Sequence, residues 1–345
     1  MAVTQEQVRE ALKQVKFPGL SRDIVSFGFV KNVTIDGGTV TVEIAMTTAN
    51  PDAAAQVETA ARAVLEALPG AAKVDLSVNA TNPQATPAQP KILPGVRYKI
   101  AVASGKGGVG KSTVAANLAL ALQRLGHTVG LLDADIYGPS QNMMMGCTDR
   151  PMINQDEKII PVDGNGIGVM SLGFLMDPDT PVIWRGPMVM KALEQFLVDV
   201  AWGTLDFLVV DLPPGTGDAQ LTITQMVPLS GAVIVTTPQD VALIDARKGL
   251  QMFRKVNVPV IGVIENMSAF VCPECGHREE IFKSGGGHRT ADELGVPFLG
   301  DIPIDPQIVL GGDAGSPIVA ARPDSQAAQA FMAVARAVVA HVSGA

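Results

Sequence analysis

Apolar residues recur at helical spacing over Gln5 to Val15 and again over Asp52 to Leu68, which predicts two helices. Ile24 to Ile35 and Thr39 to Met46 alternate like paired strands around the turn Asp36-Gly37-Gly38, and Lys73 to Val78 reads as a third strand. Asn79 to Gly95 breaks the pattern with prolines and small polar residues and reads as a linker. Beyond it, short apolar runs alternate with helical patterns. The runs are Tyr98 to Ala103, Thr128 to Leu132, Ile167 to Ser171, Phe207 to Val210, Ala232 to Thr236, Val260 to Ile264 and Phe298 to Gly300. The helical patterns are Thr113 to Leu125, Met188 to Val200, Asp218 to Met226, Val241 to Val256, Arg289 to Leu294 and Ser325 to Val342. Near-continuous apolar strands suit a sheet covered on both faces. The expected architecture is therefore α/β: a small α/β domain over residues 1–79, a linker over 80–95, and a doubly wound, mainly parallel sheet over 96–345.

Composition narrows the class. A hydrophobic content of 47% suits a packed core, and no apolar run approaches the roughly 18 to 20 residues of a membrane span. Met1 to Lys16 carries charges throughout and does not read as a secretory signal, so a cytoplasmic protein is expected. The net charge of −8 offers no basic stripe for nucleic acid. The terminal helical pattern has no basic cluster for anionic lipid, so no membrane partner is expected either.

Chemistry concentrates at the ends of the predicted strands. Gly105-Lys106-Gly107-Gly108-Val109-Gly110-Lys111-Ser112-Thr113 follows an apolar strand and opens a helix, the context that makes a phosphate-binding loop credible. Its backbone amides would surround phosphate oxygens, Lys111 would meet the β- and γ-phosphates, and the Ser112 hydroxyl would ligate Mg²⁺. Lys106 is not required by that scheme, which hints at a further task. Phe207 to Asp211 is an apolar strand ending in an acid, the expected second site at the metal, and it runs into the turn Leu212-Pro213-Pro214-Gly215-Thr216-Gly217-Asp218. Asp133 and Asp135 end another strand on one side; Asp135 is the candidate for orienting the attacking water and Asp133 for supporting the metal's water shell, although alternation does not rank them.

Together with Asp133-Ala134-Asp135-Ile136-Tyr137-Gly138-Pro139-Ser140, Trp184-Arg185-Gly186-Pro187-Met188 and Glu265-Asn266-Met267-Ser268, these motifs make the chain from about Lys99 onward resemble the Mrp/ApbC family. Its members are ATP-dependent iron-sulfur cluster carriers in the ParA/MinD class of P-loop proteins, whose loop carries an extra lysine. The resemblance implies that Lys106 reaches the nucleotide of a dimer partner, supplying charge as an arginine finger does. It also implies that Asn266 lies at the adenine edge with Pro303 nearby. Residues around Phe17 to Ser26 resemble the small domain of iron-sulfur assembly factors. Related domains often carry a cysteine before the second helix, and here Thr47 to Asp52 has none, so docking a client or scaffold is expected rather than metal binding.

Cys272-Pro273-Glu274-Cys275 offers two thiolates, whereas a tetrahedral zinc or a cubane cluster usually takes four protein ligands. A two-fold axis beside the pair would supply the other two, so a homodimer is expected from ligand counting as well as from Lys106. The spacing suits a zinc knuckle, an iron-sulfur cluster or a redox dithiol. The resemblance favours a bridging [4Fe-4S] cluster passed to apo-protein clients, with zinc in a dimeric switch as the alternative. Cys147, the remaining cysteine, reads as a small apolar residue, and the methionines as core filling.

Overall fold

The computed structural model describes residues 3–18, 23–47, 51–81, 92–176, 186–272 and 274–344. It divides into two compact units, Met1–Pro90 and Lys91–Ala345. The segments Asn82 to Lys91, Thr48 to Asn50, Gly19 to Arg22 and Trp184-Arg185 of the sequence reading lie outside the described residues.

In the first unit, helix Gln5–Leu12 starts at a capping box, with Thr4 accepting from the Gln7 backbone while the Gln7 side chain accepts from the Thr4 backbone. Strands Val30–Asp36 and Thr39–Thr47 pair antiparallel, and Lys73–Thr81 runs parallel to the latter after the crossover helix Pro51–Glu66. Val40, Val42 and Ile44 alternate inward onto Val8, Leu12, Val57 and Leu65. The first strand begins at Val30, not at Ile24 as its apolar pattern suggested. Asp23 accounts for the difference: its Oδ1 accepts from the backbone of Val25 at 3.0 Å and of Ser26 at 2.8 Å, which turns the chain there.

The second unit is built on a nine-stranded sheet. Its order is Arg278–Glu279, Val260–Val271, Gly231–Thr236, Val96–Ser104, Leu205–Asp211, Val129–Asp133, Ile167–Ser171 and Val162–Gly164, with Phe298–Ile304 also paired to Val260–Val271. All pairings are parallel except those of the short edge strands Arg278–Glu279 and Val162–Gly164. Alternate residues of the central strands serve two cores. Ile100, Val102, Phe207 and Val209 face helices Lys111–Arg124 and Gln326–Ser343. Ala101, Ala103, Leu208 and Val210 face Gly186–Val198, Asp218–Met226 and Asp240–Lys255. This double burial is why those strands read as unbroken apolar runs. Phe253 and Phe331, one in each core, are fully buried, and removing either ring would cost about 3–5 kcal/mol.

Several expected strands are longer than their patterns, two of them the most. Val260 to Ile264 extends to Val271, and Phe298 to Gly300 extends to Ile304. The polar run Glu265-Asn266 hid the first extension, because these side chains are held by hydrogen bonds rather than by apolar packing. Helices Pro306–Asp313 and Ile318–Ala321 were not expected; the first starts on an Asp305 cap with proline at its first turn. No helix among the described residues is long and apolar enough to cross a membrane.

Candidate nucleotide and thiol sites

The phosphate-binding loop leaves the carboxyl end of the central strand Val96–Ser104 and enters helix Lys111–Arg124. Two glycines are required by contact. A Cβ on Gly105 would meet the Asp245 carbonyl at 2.1 Å, so the loop lies directly on helix Asp240–Lys255. At Gly110, φ is +78° and a Cβ would meet the Asn266 amide nitrogen at 2.2 Å. Lys106, half-buried, lines a cleft of about 240 Å³ together with Gly107, Gly108, Lys111, Thr113 and Asp135.

Register brings the acids together. Asp211 lies opposite Asp133 on the adjacent strand, and Lys111 enters between Asp211 and Asp135. The ammonium is 6% exposed, hydrogen-bonds Asp211 Oδ1, and lies 3.3 Å from Asp135 Oδ2. Burial alone would lower its pKa, but the carboxylates of Asp211 and Asp135 outweigh it and raise the value. Asp135 is raised by burial, against the opposing pull of Lys111. Asp133 is pushed up to about 7 by burial and then by the Asp211 charge, against hydrogen bonds from Gln141, Ser171 and Ser140. Three carboxylates around one ammonium leave the pocket short of positive charge. With the Ser112 hydroxyl 3.1 Å from Lys111 Nζ, this hard oxygen set fits a Mg²⁺ ion arriving with phosphate.

Asp133 and Asp135, which alternation could not rank, are separated by their hydrogen bonds. Asp133 Oδ2 accepts from Ser140 N at 2.9 Å, Gln141 N at 3.0 Å and Ser171 Oγ at 2.8 Å, while Oδ1 accepts from Asp135 N at 3.1 Å. Its oxygens thus hold the loop from Asp135 to Gln141. Asp135 accepts only a long backbone contact from Tyr137 besides Lys111, and its carboxylate lines the cleft.

Gln141 escaped the sequence reading. It is fully buried, and its amide nitrogen donates to the Ser112 carbonyl at 2.9 Å and to Asp211 Oδ2 at 2.8 Å. Only its place beside a methionine run, Met143-Met144-Met145, hid it; of those three, Met144 and Met145 are buried and Met143 is exposed.

On the other side of Gly110 lies a second cavity of about 140 Å³, lined by Thr113, Asn266, Met267, Phe282, Pro303 and Val309. Asn266 is fastened to the loop by a 2.9 Å bond from its amide to the Val109 carbonyl. The two cavities share Gly110 and Thr113, one polar and one mainly apolar, as a nucleotide's phosphates and base require. Glu265, next to Asn266, is buried and accepts from the backbone of Gly285 and Gly287, capping helix Gly286–Leu294.

Strand Val260–Val271 also leads to the thiols. Cys272 N donates to the His277 carbonyl at 2.9 Å and Gly276 N to the Cys272 carbonyl at 2.9 Å, closing a tight turn that Arg278–Glu279 completes against Phe270 and Val271. Cys272 is half-buried and Cys275 exposed. Backbone N–H groups of Cys275 and Glu274, with the Cys275 thiol, hold the Cys272 pKa below the ordinary thiol value. Among the described residues no group of three metal-ligating side chains gathers around the pair. His277 turns its ring to Glu279 instead, at 3.1 Å. Cys147 belongs elsewhere. Its sulfur lies 3.6 Å from the Asp163 carbonyl on the opposite edge of the sheet, and its pKa is pushed up to about 12 by burial and the nearby carboxylates of Asp163 and Asp149.

A family model described as NUBPL iron-transfer P-loop NTPase matches residues 95–339, and one described as iron-sulfur cluster assembly protein matches residues 5–78. The iron-sulfur cluster carrier protein of Synechocystis sp. is 47% identical over 99% of this chain and 98% of its own. Iron-sulfur cluster transfer protein NUBPL of Mus musculus is 51% identical over 72% of this chain and 79% of its own. Among solved structures, the nucleotide-binding protein of Archaeoglobus fulgidus in complex with ADP is similar at a TM-score of 0.58, with 40% identity, covering 64% of this chain and 87% of its own. The cell division ATPase MinD of Pyrococcus furiosus is similar at 0.55, with 25% identity, covering 70% and 98%. With the loop, the acids at the strand ends and the paired base cavity all in place, these matches show that the chain belongs to the NUBPL iron-transfer family of P-loop NTPases.

Proposed function

We propose that this protein is an ATP-dependent iron-sulfur cluster carrier. It acts as a homodimer that holds a bridging [4Fe-4S] cluster on Cys272 and Cys275 of each chain and passes it to cytoplasmic apo-proteins. The observation that carries the reading is the accessible thiol pair at the end of the strand that also bears Asn266. Its relatives' names, iron-sulfur cluster carrier and transfer proteins, support the same cargo. Two thiolates per chain leave a cubane half-ligated, and a second chain completes it.

In the nucleotide cleft, Lys111 leaves Asp211 and Asp135 for the β- and γ-phosphates, and Ser112 and Asp211 would hold Mg²⁺, which would supply positive charge against the phosphates. Asp135, freed from Lys111, orients the attacking water. Lys106 supplies positive charge to the partner's nucleotide as charge develops in the transition state. Gly107, Gly108, Val109, Gly110 and Thr113 present backbone amides to the phosphates, and Asn266 and Pro303 bound the adenine. The domain expected over residues 1–79 docks a client or scaffold, and the 80–95 segment links it to the ATPase.

The test is anaerobic reconstitution with iron and sulfide, followed by metal analysis, a visible spectrum and the mass in solution. A shoulder near roughly 400 nm, four iron per two chains and a dimeric mass are expected. The tight turn at Cys272 to His277 also suits a zinc knuckle. A colourless dimer with one zinc per two chains and no bound iron would replace the cluster reading with a zinc-bridged switch.

A further inference from the structure

Gln141 combines three properties that a packing residue does not need. It is fully buried, its amide nitrogen bridges the Ser112 carbonyl and Asp211 Oδ2, and its Oε1 has no hydrogen-bond partner among the described residues. An orphaned buried acceptor is rare in a folded chain and marks a place where a donor is due. The backbone explains how the side chain arrives there. Asp133 accepts from the N–H groups of Ser140 and Gln141, fixing the start of the short helix Gln141–Met144 at the cleft.

We infer that Gln141 is a positioning residue of the nucleotide site, acting through Asp211 and Ser112. This rests on reading the cleft as an ATP site. In the nucleotide-free chain Asp211 is held from two sides, by Lys111 on Oδ1 and by Gln141 on Oδ2. When Lys111 turns to the phosphates, one of those holds is lost. Gln141 keeps the other, so Oδ1 is released while the carboxylate stays in plane. The same amide tethers the first turn of the loop helix through the Ser112 carbonyl, which fixes the residue whose hydroxyl faces the metal. Oε1 provides the acceptor for a water that enters with MgATP. Charge is the reason an amide stands there. A carboxylate would add to Asp133, Asp135 and Asp211, and an ammonium would compete with Lys111.

Gln141→Met keeps length and volume and removes both hydrogen-bonding ends. The backbone N–H that Asp133 holds is retained in this variant. The probe is a fluorescent ATP analogue titrated with and without Mg²⁺. In the full-length wild type, Mg²⁺ tightens binding. In Gln141→Met that gain falls about tenfold or more, as for other partners of metal ligands, while Mg²⁺-free affinity stays within about twofold. In an Asp211→Asn background, adding Gln141→Met lowers the Mg²⁺ gain by less than it does alone, because part of its effect runs through that carboxylate. Gln141→Leu serves as the second variant with the same expectations. A wild-type Mg²⁺ gain in both variants, or additive losses in the Asp211→Asn background, overturns the role of Gln141 alone. A wild type that binds no ATP analogue overturns the ATP-site reading and this role with it.

Discussion

The nucleotide cleft and the thiol turn are opposites in how much one chain supplies. In the cleft, Lys111, Asp133, Asp135, Asp211 and Gln141 come from separate parts of the fold and are buried and bonded to one another. At the turn, Cys272 and Cys275 come from one element, are accessible, and stand without a third metal-ligating side chain among the described residues. The contrast teaches that a site made by convergence of strands is assembled by folding itself, whereas a site made by one turn presents only a pair of accessible thiols. It also separates what each will tolerate: the cleft couples many positions, and the turn depends on two.

The largest effect is expected at the turn. Cys272→Ser with Cys275→Ser should abolish bound iron after anaerobic reconstitution and leave ATP affinity within about twofold, since exposed substitutions away from a packed site perturb little. Loss of ATP binding in that variant would break the separation of the two sites. Next is Lys111→Ala, which leaves three buried carboxylates without their cation. Nucleotide binding should vanish and the folded state should lose about 3–5 kcal/mol, measured by urea unfolding. A wild-type unfolding curve would mean that the acids carry no strain of charge in the empty cleft. Lys106→Ala should keep ATP affinity and lower hydrolysis by about 10³-fold, the effect of removing a finger residue. Hydrolysis near the wild-type rate would remove the argument that the cleft, too, borrows from a partner.

The smallest effect concerns pH. Asp133 keeps its proton in the folded chain up to about pH 7, against an ordinary carboxyl value near 4 when unfolded. Between those values the folded state binds more protons, so the stability this group contributes falls as pH rises through the window. Asp133→Asn should flatten that slope in urea unfolding of the nucleotide-free protein. An unchanged slope would place the proton on another member of the cluster.

What could be read before folding follows the same contrast. The loop, Asp211 and the cysteine pair declare themselves by contiguous motif and by apolar strands ending in an acid. The division of labour between Asp133 and Asp135 was not legible, because both sit on one side of a strand end. It depends on where residues 140 and 141 return, which alternation does not encode. Gln141 was illegible for a related reason: a lone glutamine beside methionines shows its role only when Ser112 and Asp211 are brought to it. The true length of strand Val260–Val271 was masked by Glu265 and Asn266, whose partners are backbone groups distant in sequence. Asp23 reversed an apparent strand by a local side-chain bond that hydrophobic pattern does not weigh.

Met267 holds φ at +57° inside the strand that joins the base cavity to the thiols, and the pairing with Phe298–Ile304 slips between Asn266 and Phe270. A residue other than glycine held at positive φ inside a strand keeps that conformation only where its surroundings fix it. Five residue steps, roughly 16 Å at about 3.3 Å per residue, separate Met267 from Cys272. Asn266, which fastens the phosphate-binding loop, sits on one side of Met267, and Cys272 lies on the other. The kink at Met267 therefore sets the heading of the strand between the loop's anchor and the turn that carries the thiols.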